Sequence, residues 1–259
     1  MNSKNYLPPT AIANYVHNIL VIENYSDKSD FVLPLYANGC PAIIFQTEKA
    51  CKKDRLIGNF TLYGQTIIPD RLNFKGSFTL IAYFLQPHTL KNLLGIQANE
   101  LTDQILDINY IKQAKAINLQ EQLLNESDLQ ARMQLINHFI YTLMQPISTD
   151  NKILVVAINE LKKINNVNSL LKLQKKLNIT ERSLQRLFSV NVGISPNMYK
   201  RVCQFNSAFT EINGPHITKL SDIAYRYSFS DHSHFTRVFK EFTQIAPKEY
   251  LAMREFYTS

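Results

Sequence analysis

Between residues 220 and 250 the apolar positions follow a helical period twice, with a break between the two runs. In 221–227, Ile223, Ala224 and Tyr227 fall at i, i+1 and i+4, one face of a helix. Phe229 closes a short turn. Ser230 is the expected N-cap of a second helix, in which Phe235, Val238, Phe239 and Phe242 recur at i, i+3, i+4 and i+7. Ser233, His234 and Arg237 lie off that stripe. A short helix, a tight turn and an amphipathic helix with donor-rich polar positions predict a helix-turn-helix whose second helix can reach base edges.

The pattern occurs twice. Leu184-Gln185-Arg186-Leu187-Phe188, followed after seven residues by Pro196 and then Tyr199, is matched by Phe235-Thr236-Arg237-Val238-Phe239, Pro247 and Tyr250. Both read [L/F]-x-R-x-F-x7-P-x2-Y, a repeated unit in one chain. Further helices are expected over 153–164 and 169–177, then over 181–190 with Thr180 as cap. A longer connector runs from Ser195-Pro196 to about Ile212 and ends at Asn213-Gly214-Pro215.

The first ~110 residues carry short apolar runs between turn signals and predict strands over 15–22, Phe31–Leu35, Ala42–Gln46, 59–68 and 77–85, with Asn38-Gly39 and Lys75-Gly76 as turns. Short helices are expected at 89–94 and 97–104, and a further segment at 107–113. Many short strands imply a small barrel or sandwich. Helices at 119–124 and 128–144 follow, the second with Leu129, Met133, Ile136, Phe139, Ile140 and Leu143 as a stripe that must bury against the barrel or a second copy of the chain. The stretch 146–151 (PISTDN) is the expected hinge. The chain thus divides into a β-rich domain (1–118), a helical linker and hinge (119–150) and a helical domain (151–259).

Charge separates the two ends. The net charge is +7; residues 151–259 hold 16 Lys and Arg against 8 Asp and Glu, and residues 1–150 hold 12 against 13. The positive excess belongs to the half with the repeat, which suits a polyanion. Cys40, Cys51 and Cys203 are widely spaced without a C-x2-C pair, so neither a disulfide framework nor a zinc site is expected. No apolar run approaches a membrane span, and a soluble, cytoplasmic chain is expected.

The Ile223–Lys240 run, IA-x2-Y-x-F-S-x2-S-x-F-x-R-x-F-K, followed by P-x2-Y at Pro247–Tyr250, resembles the signature region of the AraC family of transcription regulators. Ser228 and Gln244 stand where that family usually has Gly, which asks a side chain to adopt an unusual backbone angle. The N-terminal region more loosely resembles the cupin-like domain often found ahead of such motifs, through Pro34, Asn38-Gly39-Cys40, Ile43-Ile44-Phe45 and the segment from Ala82 to Asp103. The implied fold is α+β: a β-rich cupin-like barrel followed by an all-α domain with two helix-turn-helix motifs.

Two recognition helices on one connector can enter successive major grooves roughly 34 Å apart. Arg182 and Arg186 suit guanine and Gln185 suits adenine. By position in the resemblance, Arg182, Gln185, Arg186, Ser233, His234 and Arg237 face bases, although Arg186 and Arg237 could equally clamp phosphate. Phosphate candidates are Thr180, Lys200, Arg201, Ser230 and Lys240, with Lys172, Lys175 and Lys176 beside them. Expected partners are double-stranded DNA and, by the resemblance, RNA polymerase, a small-molecule effector and a second copy of the chain. An effector pocket would use Phe45, Tyr63 and Tyr83. No catalytic residue, cofactor, metal or membrane partner is expected, because His17 and His88 stand alone and neither G-x-S-x-G nor H-E-x2-H occurs. The competing classes are a cupin-type or DNA-repair enzyme and an architectural DNA binder without sensing.

Overall fold

The computed structural model describes residues 2–26, 30–145, 149–163, 169–214 and 219–258. Its strands are β1 (Asn2–Tyr6), β2 (Val16–Asn24), β3 (Phe31–Leu35), β4 (Ala42–Gln46), β5 (Ala50–Lys52), β6 (Arg55–Ile57), β7 (Phe60–Tyr63), β8 (Asp70–Phe74), β9 (Phe78–Leu85) and β10 (Ile105–Asp107). They form a six-stranded sheet, β1-β2-β9-β4-β7-β10, and a four-stranded sheet, β3-β8-β5-β6. The fold is a β-rich domain followed by a helical one; the two sheets face each other and do not close into one barrel.

The central strand β4 (AIIFQ) is buried along its whole length, because side chains alternate between two covered faces. Ile43 and Phe45 point to one core, shared with Phe60, Leu62, Ile81 and Tyr83. Ala42 and Ile44 point to another, shared with Leu72 and Phe74 of the second sheet. The first core is closed by α3 (Leu119–Asn125) and α4 (Leu129–Leu143), which follow α1 (Leu90–Leu94), a 3-10 turn at Ala98–Glu100, another at Ile108–Tyr110 and α2 (Lys112–Ala116). Met133, Ile136, Phe139, Ile140 and Leu143 of α4 lie in this core, so its apolar stripe packs within the chain. Phe60 and Phe139 meet edge-on at 6.0 Å.

The helical part comprises α5 (Thr149–Lys162), α6 (Ser169–Leu177), α7 (Glu181–Val192), α8 (Pro196–Ile212), α9 (Leu220–Arg226), α10 (His232–Thr243) and α11 (Pro247–Thr258). Of the expected hinge, residues 146–148 lie outside the described residues, as do Ile164 and Pro215; residues 149–151 belong to α5. No described helix is long and apolar enough to cross a membrane.

The two parts touch through specific residues. Gly39 (φ 77°) brings the β3–β4 turn against α8, where an added Cβ would stand 3.5 Å from Val202 Cγ1 and 3.6 Å from the Tyr199 ring. Gln65 Nε2 holds that turn by donating to Gly39 O at 2.9 Å. Tyr36 meets Phe209 edge-on at 5.3 Å. Burial beside α8 pushes the Cys40 thiol up to about 12, so it stays protonated and unreactive.

Candidate nucleic-acid interface

In each motif a short helix supports a longer one. Thr180 caps α7 by accepting from Ser183 N at 3.2 Å, and Leu184 and Phe188 are buried beneath it. In the second motif Asp231, not the expected Ser230, caps the helix: its Oδ1 accepts from His234 N at 2.7 Å. The neighbouring Ser230 turns its Oγ to Asp231 Oδ2 at 3.1 Å. Both residues cap helices well, and the carboxylate's charge complements the helix dipole as well as the free N–H. That backbone hydrogen bond holds the Asp231 carboxyl below the usual range.

The turns differ from the usual glycine pattern in the expected way. Ser228 adopts φ 57° and Gln244 φ 63°, both left-handed. The chain accepts these conformations because packing on either side overrides them: Phe229 N bonds to Ala224 O at 3.0 Å, and Gln244 N to Lys240 O at 2.8 Å.

Arg182, Gln185 and Arg186 are exposed on the outer face of α7. Gln185 Nε2 donates to Glu181 Oε1 at 3.1 Å, which orients its amide. On α10, Ser233 and Arg237 are exposed and His234 is half-buried. His234 is tied into the turn: its Nδ1 accepts from Ser230 N at 3.3 Å and its ring meets Phe229 edge-on at 5.6 Å. The two contacts orient the imidazole ring against the turn.

The phosphate candidates are less alike. Lys240 is exposed and Lys200 half-buried. Arg201 pairs with Glu241 at 2.5 Å and lies 5.7 Å from the centre of the Phe242 ring, bracing α8 against α10. Lys176 pairs with Glu160 at 2.8 Å, while Lys172 and Lys175 are exposed.

The sequence gives no local signal for how firmly α8 holds the second motif, since each tie spans many residues. Besides Arg201–Glu241, Gln204 Nε2 donates to Tyr227 O at 2.8 Å, Arg226 pairs with Glu211 at 2.6 Å, and Tyr250 Oη donates to Asn213 Oδ1 at 2.8 Å. Phe205 and Phe209 of α8 stack among Phe239, Phe242 and Tyr250. On the other side Phe188 packs on Tyr199, at 5.8 Å. One helix therefore carries both motifs at a fixed separation.

The three aromatic residues expected to line an effector pocket are separated. Phe45 and Tyr83 lie in the core beneath α4, with Tyr83 Oη 3.0 Å from both Met133 O and Asn137 Oδ1. Tyr63 alone lines the cavity between the sheets, and burial raises its hydroxyl well above the usual range. That cavity, about 190 Å³, is walled by Leu20, Ile22, Ile44 and Leu80 and closed by Asn206 and Phe209 of α8. Leu35, Tyr63 and Thr66 also border a more polar recess of about 370 Å³ that holds Lys52, Lys53, Arg55 and Asp70. Lys52 and Lys53 both reach Asp70, at 3.3 and 3.4 Å.

Residues 173–253 match the family model described as a helix-turn-helix domain, and residues 4–107 match a domain of unknown function (DUF6597). No curated protein matches the chain. Among solved structures it is similar to ToxT from Vibrio cholerae, with 14% identity over 98% of this chain and 99% of that one at a TM-score of 0.53. A second structure of ToxT, bound to (E)-4-(8-methylnaphthalen-1-yl)but-3-enoic acid, is 14% identical over the same shares at a TM-score of 0.51. At that identity the likeness concerns the fold, strands first and helices after. Residues 173–253 are an AraC-type helix-turn-helix domain, carried behind a β-rich N-terminal domain.

Proposed function

We propose that the chain is a sequence-specific transcription regulator that lays α7 and α10 in successive major grooves. The observation that carries this is α8, tied to the second motif by Arg201, Gln204, Glu211 and Asn213 and to the first through Tyr199. Rigid separation is what two grooves on one face of a duplex require, with centres roughly 34 Å apart. Arg182, Gln185 and Arg186 read one half-element; Ser233, His234 and Arg237 read the other. Lys200, Lys240, Thr180 and Ser230 sit where phosphates run. Arg201 acts through Glu241 as a brace.

The N-terminal domain modulates this activity through a small effector. The cavity between the sheets ends on Asn206 and Phe209, so an occupant would touch the helix that spaces the motifs. Its apolar walls and the neighbouring cations Lys52, Lys53 and Arg55 suit an apolar carboxylic acid, the class bound by the ToxT structure. The division at 119–150, the cytoplasmic location and partners beyond DNA belong to the same reading.

Selection of bound sequences from random duplexes tests it. Two short half-elements about one helical turn apart are expected, and Arg186→Ala should relax one base position at a cost of about 1–3 kcal/mol. A uniform loss over all sequences would assign Arg186 to the backbone, and the absence of any motif would sink sequence-specific reading.

A further inference from the structure

Around α7 the side chains fall on three faces. Leu184, Phe188 and Asn191 point inward, and Arg182, Gln185 and Arg186 point outward. Ser183, Leu187 and Val190 form a flank, roughly a quarter turn from the outer face, and Arg186 stands at the edge between the two and also lines that side. That flank is one wall of an open groove of about 380 Å³, and Lys91 of α1, from the N-terminal domain, lines it too.

We propose that the N-terminal domain is part of the DNA interface, with Lys91 contacting a phosphate of the strand that runs beside α7. This rests on α7 being a recognition helix. A helix seated in a major groove has a phosphate strand along each side, so a cation on its flank meets backbone and one on its outer face meets bases. The groove's lining includes two cations, Lys91 and Arg186, and no carboxylate. Its field therefore favours an anion that spans both. Lys91 is exposed, and no ion pair engages it among the described residues.

The position of Lys91 is fixed by docking of the domain. Gly193, which ends α7 at φ 92°, lies against Ala98 and Thr102, and Thr102 Oγ1 donates to Gly193 O at 2.8 Å. The short helix α1 and the 3-10 turn both pack on α7. The cation is thus held beside the recognition helix by the fold, although it belongs to the acidic half of the sequence.

The test is the salt dependence of binding by the full chain to its selected duplex. Lys91→Ala should shrink the slope of log affinity against log salt by about 0.9, with base preference unchanged. Between 50 and 200 mM salt that is about a 3.5-fold smaller loss of affinity. Lys91→Arg should keep the full slope, and so should Lys49→Ala, an exposed lysine outside the groove. If Lys91→Ala keeps the parent slope while Arg186→Ala weakens binding, α7 meets DNA and α1 does not, and the proposal is overturned. If Arg186→Ala also leaves binding unchanged, α7 is not on DNA and both readings fail.

Discussion

Thr102 Oγ1 donates a 2.8 Å hydrogen bond to the carbonyl of Gly193, joining residues 91 positions apart across the boundary between the β-rich and helical parts. At Gly193 an added Cβ would stand 2.7 Å from Thr102 Oγ1 and 2.8 Å from Ala98 O, and the residue is left-handed as well. Gly193→Ala should therefore lose about 1–3 kcal/mol through strain and displaced backbone. Thr102→Val should lose about 1 kcal/mol through the unmade bond. Hydrogen exchange at residues 98–102 would rise in both. Unchanged exchange would mean that the two parts are held elsewhere.

Ser228 and Gln244 occupy left-handed backbone that a side chain penalises. Ser228→Gly and Gln244→Gly should each raise stability by up to about 1 kcal/mol, the relief of strain being offset in part by the greater freedom of glycine in the unfolded chain. Thermal unfolding of the two variants measures it. A lowered midpoint would show that the native side chains add contacts outweighing the strain.

These two positions, and the amphipathic stripes of α7 and α10, were legible because local period and turn chemistry decide them. Phe235, Val238, Phe239 and Phe242 are all buried as their spacing predicts. Other features depend on distant partners. The strand β8 (DRLNF) has a polar sequence and forms through its pairing with β3 and β5, and β5, β6 and β10 are three residues each. Alternation along β4, β7 and β9 separates two faces but cannot say which meets α4 and which meets the second sheet; hence Phe45 and Tyr83 fall beneath α4 and Tyr63 at the cavity. The choice of Asp231 over Ser230 as cap is a one-residue difference between two good acceptors. The flank position of Lys91 arises only from docking.

His88 is buried, its Nδ1 has no hydrogen-bond partner among the described residues, and burial with the charge of Lys162 lowers its pKa to about 4. The folded protein holds it neutral, whereas the unfolded chain protonates it below about 6.5. Its contribution is therefore intact above that value and is lost as pH falls from about 6.5 towards 4, at up to about 1.4 kcal/mol per pH unit. Urea midpoints over this window should fall, and His88→Gln should flatten the fall. A parallel decline in the variant would place the acid sensitivity in other groups.

The cavity gives a separate expectation. Ala42→Leu adds bulk to its wall, and Phe209→Ala removes its closure at α8. An apolar carboxylic acid at a hundred times its Kd should stabilise the parent by about 2.7 kcal/mol. Ala42→Leu should abolish that shift, while Phe209→Ala should retain binding and lose the effect of the acid on DNA affinity. Equal shifts in the parent and Ala42→Leu would locate the ligand outside the cavity.

The connector α8 has one further consequence. It holds two motifs with unlike outer faces, Arg182, Gln185 and Arg186 at one end and Ser233, His234 and Arg237 at the other, while α1 and the 3-10 turn at Ala98–Glu100 pack on α7. Such a molecule has a head and a tail. On the reading proposed above, such a molecule seated on a duplex faces one way only, so its β-rich domain lies towards the same neighbouring stretch of sequence, and reversing the site reverses what stands beside that domain.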